Sequence, residues 1–123
     1  MVDGYGGNRR KLASLDLVYQ FLDSYPDEIA MKKIMPPYVF KYYGLKPEDW
    51  GVSGVVLIAE SHISIHTFPE KDYLSVDIFS CREFNIDQAA SYIKELFELT
   101  KMEINLLERG LEFPKDVELA SNL

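Results

Sequence analysis

The sequence predicts an α+β domain: an antiparallel β-sheet with two helices packed on one face, in the order β-α-β-β-β-α-β. Three observations lead there. Two alternating runs, Ser61–Phe68 and Tyr73–Cys81, flank Pro69-Glu70-Lys71-Asp72, a loop of hairpin length. A continuous apolar, β-branched run, Gly54–Ala59, precedes them as a buried strand. Stretches with helical apolar spacing and capping residues lie on both sides of these strands.

In chain order, the first ten residues are Gly-rich and polar and read as a loose tail. Leu12–Tyr19 alternates loosely and reads as the first strand. Asp23-Ser24-Tyr25-Pro26-Asp27-Glu28 reads as a helix start, because a capping side chain, an early Pro and acidic residues suit the positive end of the helix dipole. Ile29, Ala30, Lys33 and Ile34 continue at helical spacing, and Pro36-Pro37 stops the run. The aromatic segment Tyr38–Tyr43 reads as core or interface. After the central strands, Asn85 and Gln88 suggest a capping box, with Ala89, Ile93, Leu96 and Phe97 as the apolar stripe behind it. Met102–Leu107 reads as the last strand. The stretch from Pro114 on lacks periodicity and reads as a second loose tail, so residues 1–123 make one domain.

Register within the hairpin follows from its loop. If Phe68 pairs with Tyr73, Ile65 lies opposite Val76 and Ile63 opposite Ile78, which makes one face aliphatic. The other face collects His62, Ser64, His66, Ser75, Asp77 and Cys81, with Cys81 opposite Glu60. A slip of one residue would destroy this sorting. Both helices belong on the aliphatic face. The polar face needs cover, and a second copy of the chain would supply it, as a homodimer with an αββα sandwich.

Composition narrows the function. The chain has 123 residues, 13 Lys+Arg against 20 Asp+Glu and a formal charge of −7. Such a balance disfavours nucleic acid and anionic membranes as partners. A single cysteine excludes an internal disulfide. No run approaches the roughly 18 apolar residues of a membrane span, and Met1–Gly7 has no signal-peptide core. The expectation is a cytoplasmic domain.

Several residues invite chemistry. His62 and His66 share a strand face but lie about 13 Å apart, too far for one zinc at about 2 Å from each nitrogen, so no metal is expected. Cys81 alone would be a small hydrophobe, but its place beside Glu60-Ser61 raises its interest. Gly51-Val52-Ser53-Gly54 lacks the lysine of a phosphate loop and reads as a turn or bulge entering a strand. Ser61 has no hydrolase elbow around it. The residues alone therefore reach a polar-faced hairpin with Ser, His and Cys close together, and not a reaction.

Gly51-Val52-Ser53-Gly54-Val55-Val56-Leu57-Ile58-Ala59-Glu60-Ser61-His62-Ile63-Ser64-Ile65-His66-Thr67-Phe68-Pro69-Glu70 resembles the signature of the short prokaryotic S-adenosylmethionine decarboxylases. Val76-Asp77-Ile78-Phe79-Ser80-Cys81 resembles the family's cysteine-bearing strand. The resemblance implies a self-processing carboxy-lyase that supplies aminopropyl groups for spermidine and other polyamines. The Ser61 hydroxyl would attack the Glu60 carbonyl, and elimination from the resulting ester would leave a pyruvoyl group at 61. The products would be a β chain, 1–60, and an α chain, 61–123. The pyruvoyl group would form a Schiff base with the amine of S-adenosylmethionine and act as electron sink. His66 would carry a proton in processing with Ser53 assisting it, and Cys81 would donate a proton in decarboxylation. The processed protomers would pair as a homodimer with sites at or near the interface.

Glu70 falls on a motif position and implies substrate contact. Two positions depart from the family pattern: Leu45, before Lys46-Pro47, stands where a Phe stacks on adenine, and Phe68 stands in place of a Trp. Trp50 and Phe40 are nearby aromatics that could substitute. These departures bear on substrate choice, so arginine or ornithine decarboxylation on the same scaffold is the alternative, and a processing-dead binding module is a third reading.

Overall fold

The computed structural model describes residues 1–112, so the tail from Pro114 on lies outside the described residues. The elements run β1 (Val2–Tyr5), α1 (Arg9–Leu12), α2 (Leu15–Glu28), β2 (Tyr38–Tyr43), β3 (Trp50–Ile58), β4 (Ser61–Phe68), a 3₁₀ turn (Pro69–Lys71), β5 (Tyr73–Phe79), α3 (Ile86–Phe97) and β6 (Lys101–Ile104). The six strands form one sheet in the order β2-β3-β4-β5-β1-β6, with every neighbouring pair antiparallel. The α+β class holds, with α2 and α3 on one face.

The first third of the chain differs from expectation. Leu12–Tyr19 is not a strand: it contains the end of α1 and the opening turns of α2. Ser14 caps α2 by accepting a hydrogen bond from the Leu17 amide at 3.0 Å. Val18, Phe21, Leu22 and Tyr25 are its buried stripe. That spacing is helical, but a window ending at Tyr19 shows only Leu15, Leu17 and Val18, which mimic alternation. Asp23–Glu28, expected to open a helix, is its last stretch. Residues 1–10, expected to be loose, contain β1, which earns its order from two non-local partners, β5 and β6. Tyr38–Tyr43 adds an edge strand, as its aromatic and β-branched content favours. The last strand ends at Ile104, three residues short of the expected boundary.

Elsewhere the pattern carries through. Asn85 caps α3 by accepting from the Gln88 amide at 2.9 Å, and Ala89, Ile93 and Phe97 are buried. The two helices meet through aromatic rings: Phe21 lies edge-on to Phe97 at 6.3 Å, and Tyr25 packs on Tyr92 at 4.9 Å. Below them the sheet contributes Val52, Val56, Ile63, Ile65, Leu74 and Val76, none measurably exposed. Full burial of such side chains stabilises the fold by about 1.5–3 kcal/mol each before entropy is counted.

Two glycines in β3 sit under different constraints. A Cβ at Gly51 would overlap the Thr67 carbonyl oxygen, a backbone atom. At Gly54 it would meet Leu22 Cδ1 at 2.7 Å, the end of a side chain that can turn away. Gly51→Ala should therefore lower stability to urea by about 1–3 kcal/mol, and Gly54→Ala by clearly less. Equal losses in the two variants would show that strand approach at Gly51 is not the constraint.

Candidate active site

The β4–β5 hairpin has the expected register: Ile65 opposite Val76, Ile63 opposite Ile78, His66 opposite Ser75, Ser64 opposite Asp77 and His62 opposite Phe79. β3 joins the other side of β4, with Ser53 opposite His66 and Ile58 opposite Ser61. Odd-numbered residues of β4 point into the core and even-numbered ones to the open face. Ser61 thus starts the strand on the buried side, 8% exposed, while His62 and His66 lie on the open side.

Two clusters result. The first surrounds the Glu60–Ser61 peptide bond. Ala59 and Glu60 form the two-residue connection between β3 and β4, closed by the Ile58–Ser61 pair. Glu60 has φ 64°, the left-handed region. Two-residue hairpins favour turns built on Gly or Asn, and a non-glycine residue held there stores on the order of 1–3 kcal/mol. The chain just beyond β5 crosses this turn. The Cys81 amide donates to Ser61 Oγ at 3.2 Å, and Cys81 Sγ donates to the Glu60 carbonyl oxygen at 3.0 Å. A thiol on that carbonyl polarises it towards attack, as an oxyanion donor does.

The second cluster is the pair Ser53 Oγ and His66 Nδ1, 2.8 Å apart across β3 and β4. The bond engages Nδ1, and the His66 ring is exposed on the open face. The two clusters do not meet within one chain. His66 is five residues along β4 from Ser61, about 17 Å at the usual rise, and on the opposite side of the sheet. His62, also on the open face, packs on Phe79 at 5.3 Å instead of pairing with His66.

Trp50, Phe68 and Glu70 gather at the His66 end of the sheet. Trp50 Nε1 donates to Glu70 Oε1 at 3.3 Å, and Arg9 approaches Glu70 and Asp72 at 3.7 Å each. Phe68 lines a cleft of about 260 Å³ with Tyr42, Gly44, Leu45 and Asp49. Leu45 and Phe68, the two departures from the family pattern, therefore share one cleft. Phe40 lies on β2 opposite Ser53 and is exposed. Tyr42 and Asp49 were not singled out in the sequence; the run Tyr38–Tyr43 hinted at Tyr42, and nothing local hinted at Asp49. Arg109, equally unmarked, stacks over Phe79 at 4.7 Å.

On the far half of the open face, Tyr73 donates to Asp3 Oδ1 at 2.8 Å. Burial, and after it this bond to a carboxylate, push the Tyr73 phenol up to about 12. Tyr5 is raised too, by burial first and then by Glu103.

Comparison with known proteins bears on the family and the fold. The family profile described as S-adenosylmethionine decarboxylase matches residues 1–110. A protein of Thermococcus kodakarensis called S-adenosylmethionine decarboxylase proenzyme is 34% identical over 114 residues, covering 91% of this chain and 75% of that one. Its namesake in Picrophilus torridus is 32% identical over 120 residues, covering 97% and 88%. The crystal structure of the adenosylmethionine decarboxylase from Aquifex aeolicus superposes with a TM-score of 0.63 at 25% identity, covering 89% of this chain and 90% of that one.

The raised Tyr73 value sets a pH window. Its folded value lies above the 10.0 of an exposed tyrosine, so its contribution to stability is complete below about pH 10 and is lost as pH rises through about 12. Tyr73→Phe should flatten the fall in urea stability across that window. A slope equal to that of the parent protein would mean that Tyr73 ionises like an exposed phenol.

Proposed function

The chain belongs to the S-adenosylmethionine decarboxylase family, and from that membership we propose that it is a proenzyme that cleaves itself at Glu60–Ser61 and then decarboxylates S-adenosylmethionine for polyamine synthesis. The observation that carries this reading is the contact set at the turn: a non-glycine residue in the left-handed region, its carbonyl bonded to a thiol, and the next serine's oxygen bonded to an amide.

Processing would begin with Ser61 Oγ attacking the Glu60 carbonyl carbon. The C–N bond breaks, the hydroxyl proton ends on the Ser61 nitrogen, and an ester links Glu60 to the Ser61 side chain. The Cys81 thiol stabilises the oxyanion in between. A base then takes the Ser61 α-proton, the Cβ–O bond breaks, and Glu60 leaves as the carboxylate end of the β chain. The dehydroalanine left at 61 takes up water and loses ammonia, which makes the pyruvoyl group. The donor set fits such a group, since the Cys81 amide can serve an oxygen at residue 61. When formed, pyruvoyl supplies an electron sink for the electrons left by departing carbon dioxide. Cys81 would hold the proton that returns to the substrate α-carbon. The cleft beside Phe68 and Glu70 would orient the nucleoside.

The separation of the two clusters points to a second copy. His66 of one protomer cannot serve its own junction about 17 Å away through the sheet. A homodimer joined by the open faces, with strands running in opposite directions across the interface, would lay the Glu60–Ser61 turn of each chain over the Ser53–His66 pair and cleft of the other. It would also cover Tyr38, Phe40 and Tyr42, all exposed in one chain. The substrate reading follows the relatives' names, so arginine or ornithine decarboxylation is not carried forward. No helix among the described residues is long and apolar enough to cross a membrane, and a cytoplasmic enzyme without nucleic-acid or membrane partners is the reading that this and the acidic charge support.

Denaturing mass spectrometry should show two chains divided after Glu60, the second blocked by pyruvoyl. Ser61→Ala should leave one intact chain, and a parent protein that stays whole would end this reading. Co-expression tests the shared site: Ser61→Ala and His66→Ala should each be uncleaved alone, whereas their mixture should cleave the His66→Ala chain, whose intact Ser61 then meets His66 of the partner subunit. No cleavage in a confirmed mixed dimer would place the base within the same chain. Cys81→Ala should slow cleavage about 100- to 1,000-fold, the usual cost of removing an oxyanion donor. A normal rate would remove the thiol from that step.

A further inference from the structure

Two small polar side chains, Ser61 and Thr67, are buried among the described residues, and both belong to β4. Ser61 has a role in the reading above. Thr67 has none, although it is 2% exposed and follows the aliphatic Ile63 and Ile65 in the inward row. A valine would fill the same space without an oxygen to satisfy. The hydroxyl therefore calls for its own explanation.

Its bonds supply one. Thr67 Oγ1 accepts from the Val52 amide at 2.9 Å and donates to the Leu12 carbonyl at 2.7 Å. Leu12 is the last residue of α1 and is fully buried, so its carbonyl needs an internal donor. The β3–β4 pairing ends at Ser53–His66. One residue further, the Val52 amide turns to the Thr67 side chain. Here Gly51 lies directly against the Thr67 carbonyl, with no room for a Cβ. The hydroxyl thus completes the ladder where backbone pairing stops, and it pins that end of both strands to the helical layer.

Val52 and Thr67 are the immediate neighbours of Ser53 and His66. The 2.8 Å bond between those two side chains spans two strands, so it depends on the lateral spacing and stagger that the last bond of the ladder sets. We propose that Thr67 is the positioning residue of the Ser53–His66 pair, acting from the core side of the sheet to hold on the open face the bond that orients the imidazole. This rests on the reading that the pair handles protons in self-cleavage. The placement of the imidazole can also be tested without any cleavage.

The test compares Thr67→Val and Thr67→Ser in the full-length chain. Thr67→Val removes the hydroxyl at nearly constant shape and strands the Val52 amide and the Leu12 carbonyl. Cleavage should slow about 10- to 100-fold, the usual effect of losing a group that orients a catalytic side chain. Thr67→Ser keeps the hydroxyl and should restore the rate to within about threefold of the parent, on the same grounds. The second readout is the ¹⁵N spectrum of the His66 imidazole in uncleaved Ser61→Ala chains. Thr67→Val should shift the Nδ1 signal to where Ser53→Ala puts it, and Thr67→Ser should not.

A purely structural role would lower the melting temperature and leave that signal in place. An unchanged His66 signal in Thr67→Val overturns the proposal whatever happens to the rate. If Thr67→Val does not fold, Thr67→Cys keeps a weaker donor and should give a partial shift; no shift there is equally fatal. If the parent chain fails to cleave, the processing reading falls, while the imidazole spectrum still decides whether Thr67 positions His66.

Discussion

Strand β4 is the constraint on which the rest depends. Its side chains alternate strictly between a closed helical layer and an open face, and they do so for eight residues. Because Ile63 and Ile65 must reach the core, His62, Ser64 and His66 must reach the open side. Ser61 and Thr67, at the two ends of the inward row, carry the two buried hydroxyls of this strand. Each anchors a bond to a neighbouring segment, Ser61 to the chain beyond β5 and Thr67 to β3 and α1. Any slip of β4 by one residue would bury two imidazoles and expose two isoleucines, which neither hydration nor packing permits.

The same alternation separates the chemistry into two halves. The junction with its thiol lies at one end of β4, and the Ser–His pair with its aromatic cleft lies at the other. On the proposed reading neither half is a complete site. A two-fold axis joining the open faces would make each protomer lend its second half to its partner, so the surface that needs cover and the chemistry that needs completion would be answered by one interface. The hydrophobic core itself lies on the helical side of the sheet and is assembled within a single chain.

The turn before β4 is set in a chain whose neighbouring elements are locally consistent. α2 and α3 begin with side-chain caps, and β5 pairs with β4 residue for residue. Glu60 shares the left-handed region with Ala30, Asp72 and Glu98, and what sets it apart is the thiol on its carbonyl oxygen. A fold that is locally consistent around it can hold such a turn in place, and the carbonyl that the thiol engages belongs to the bond proposed to break.

The hairpin register, the capping of α3, the sorting of His62, His66 and Asp77 onto one face, and the nearness of Cys81 to Glu60 were all legible in the sequence. They follow from short-range periodicity and a four-residue loop, and alternation over seven or eight residues leaves one register. What the sequence could not settle depended on distant partners. Val2–Tyr5 is a strand because β5 and β6 flank it, and Leu15–Val18 is helical because Phe21, Leu22 and Tyr25 extend its stripe to a packed layer. The meeting of Tyr42, Leu45, Asp49 and Phe68 around one cleft, the reach of Thr67 to Leu12, and the distance between Ser61 and His66 were decided by the tertiary structure alone. Local pattern dictates which way a side chain faces, whereas the way the sheet is ordered and layered dictates what it faces.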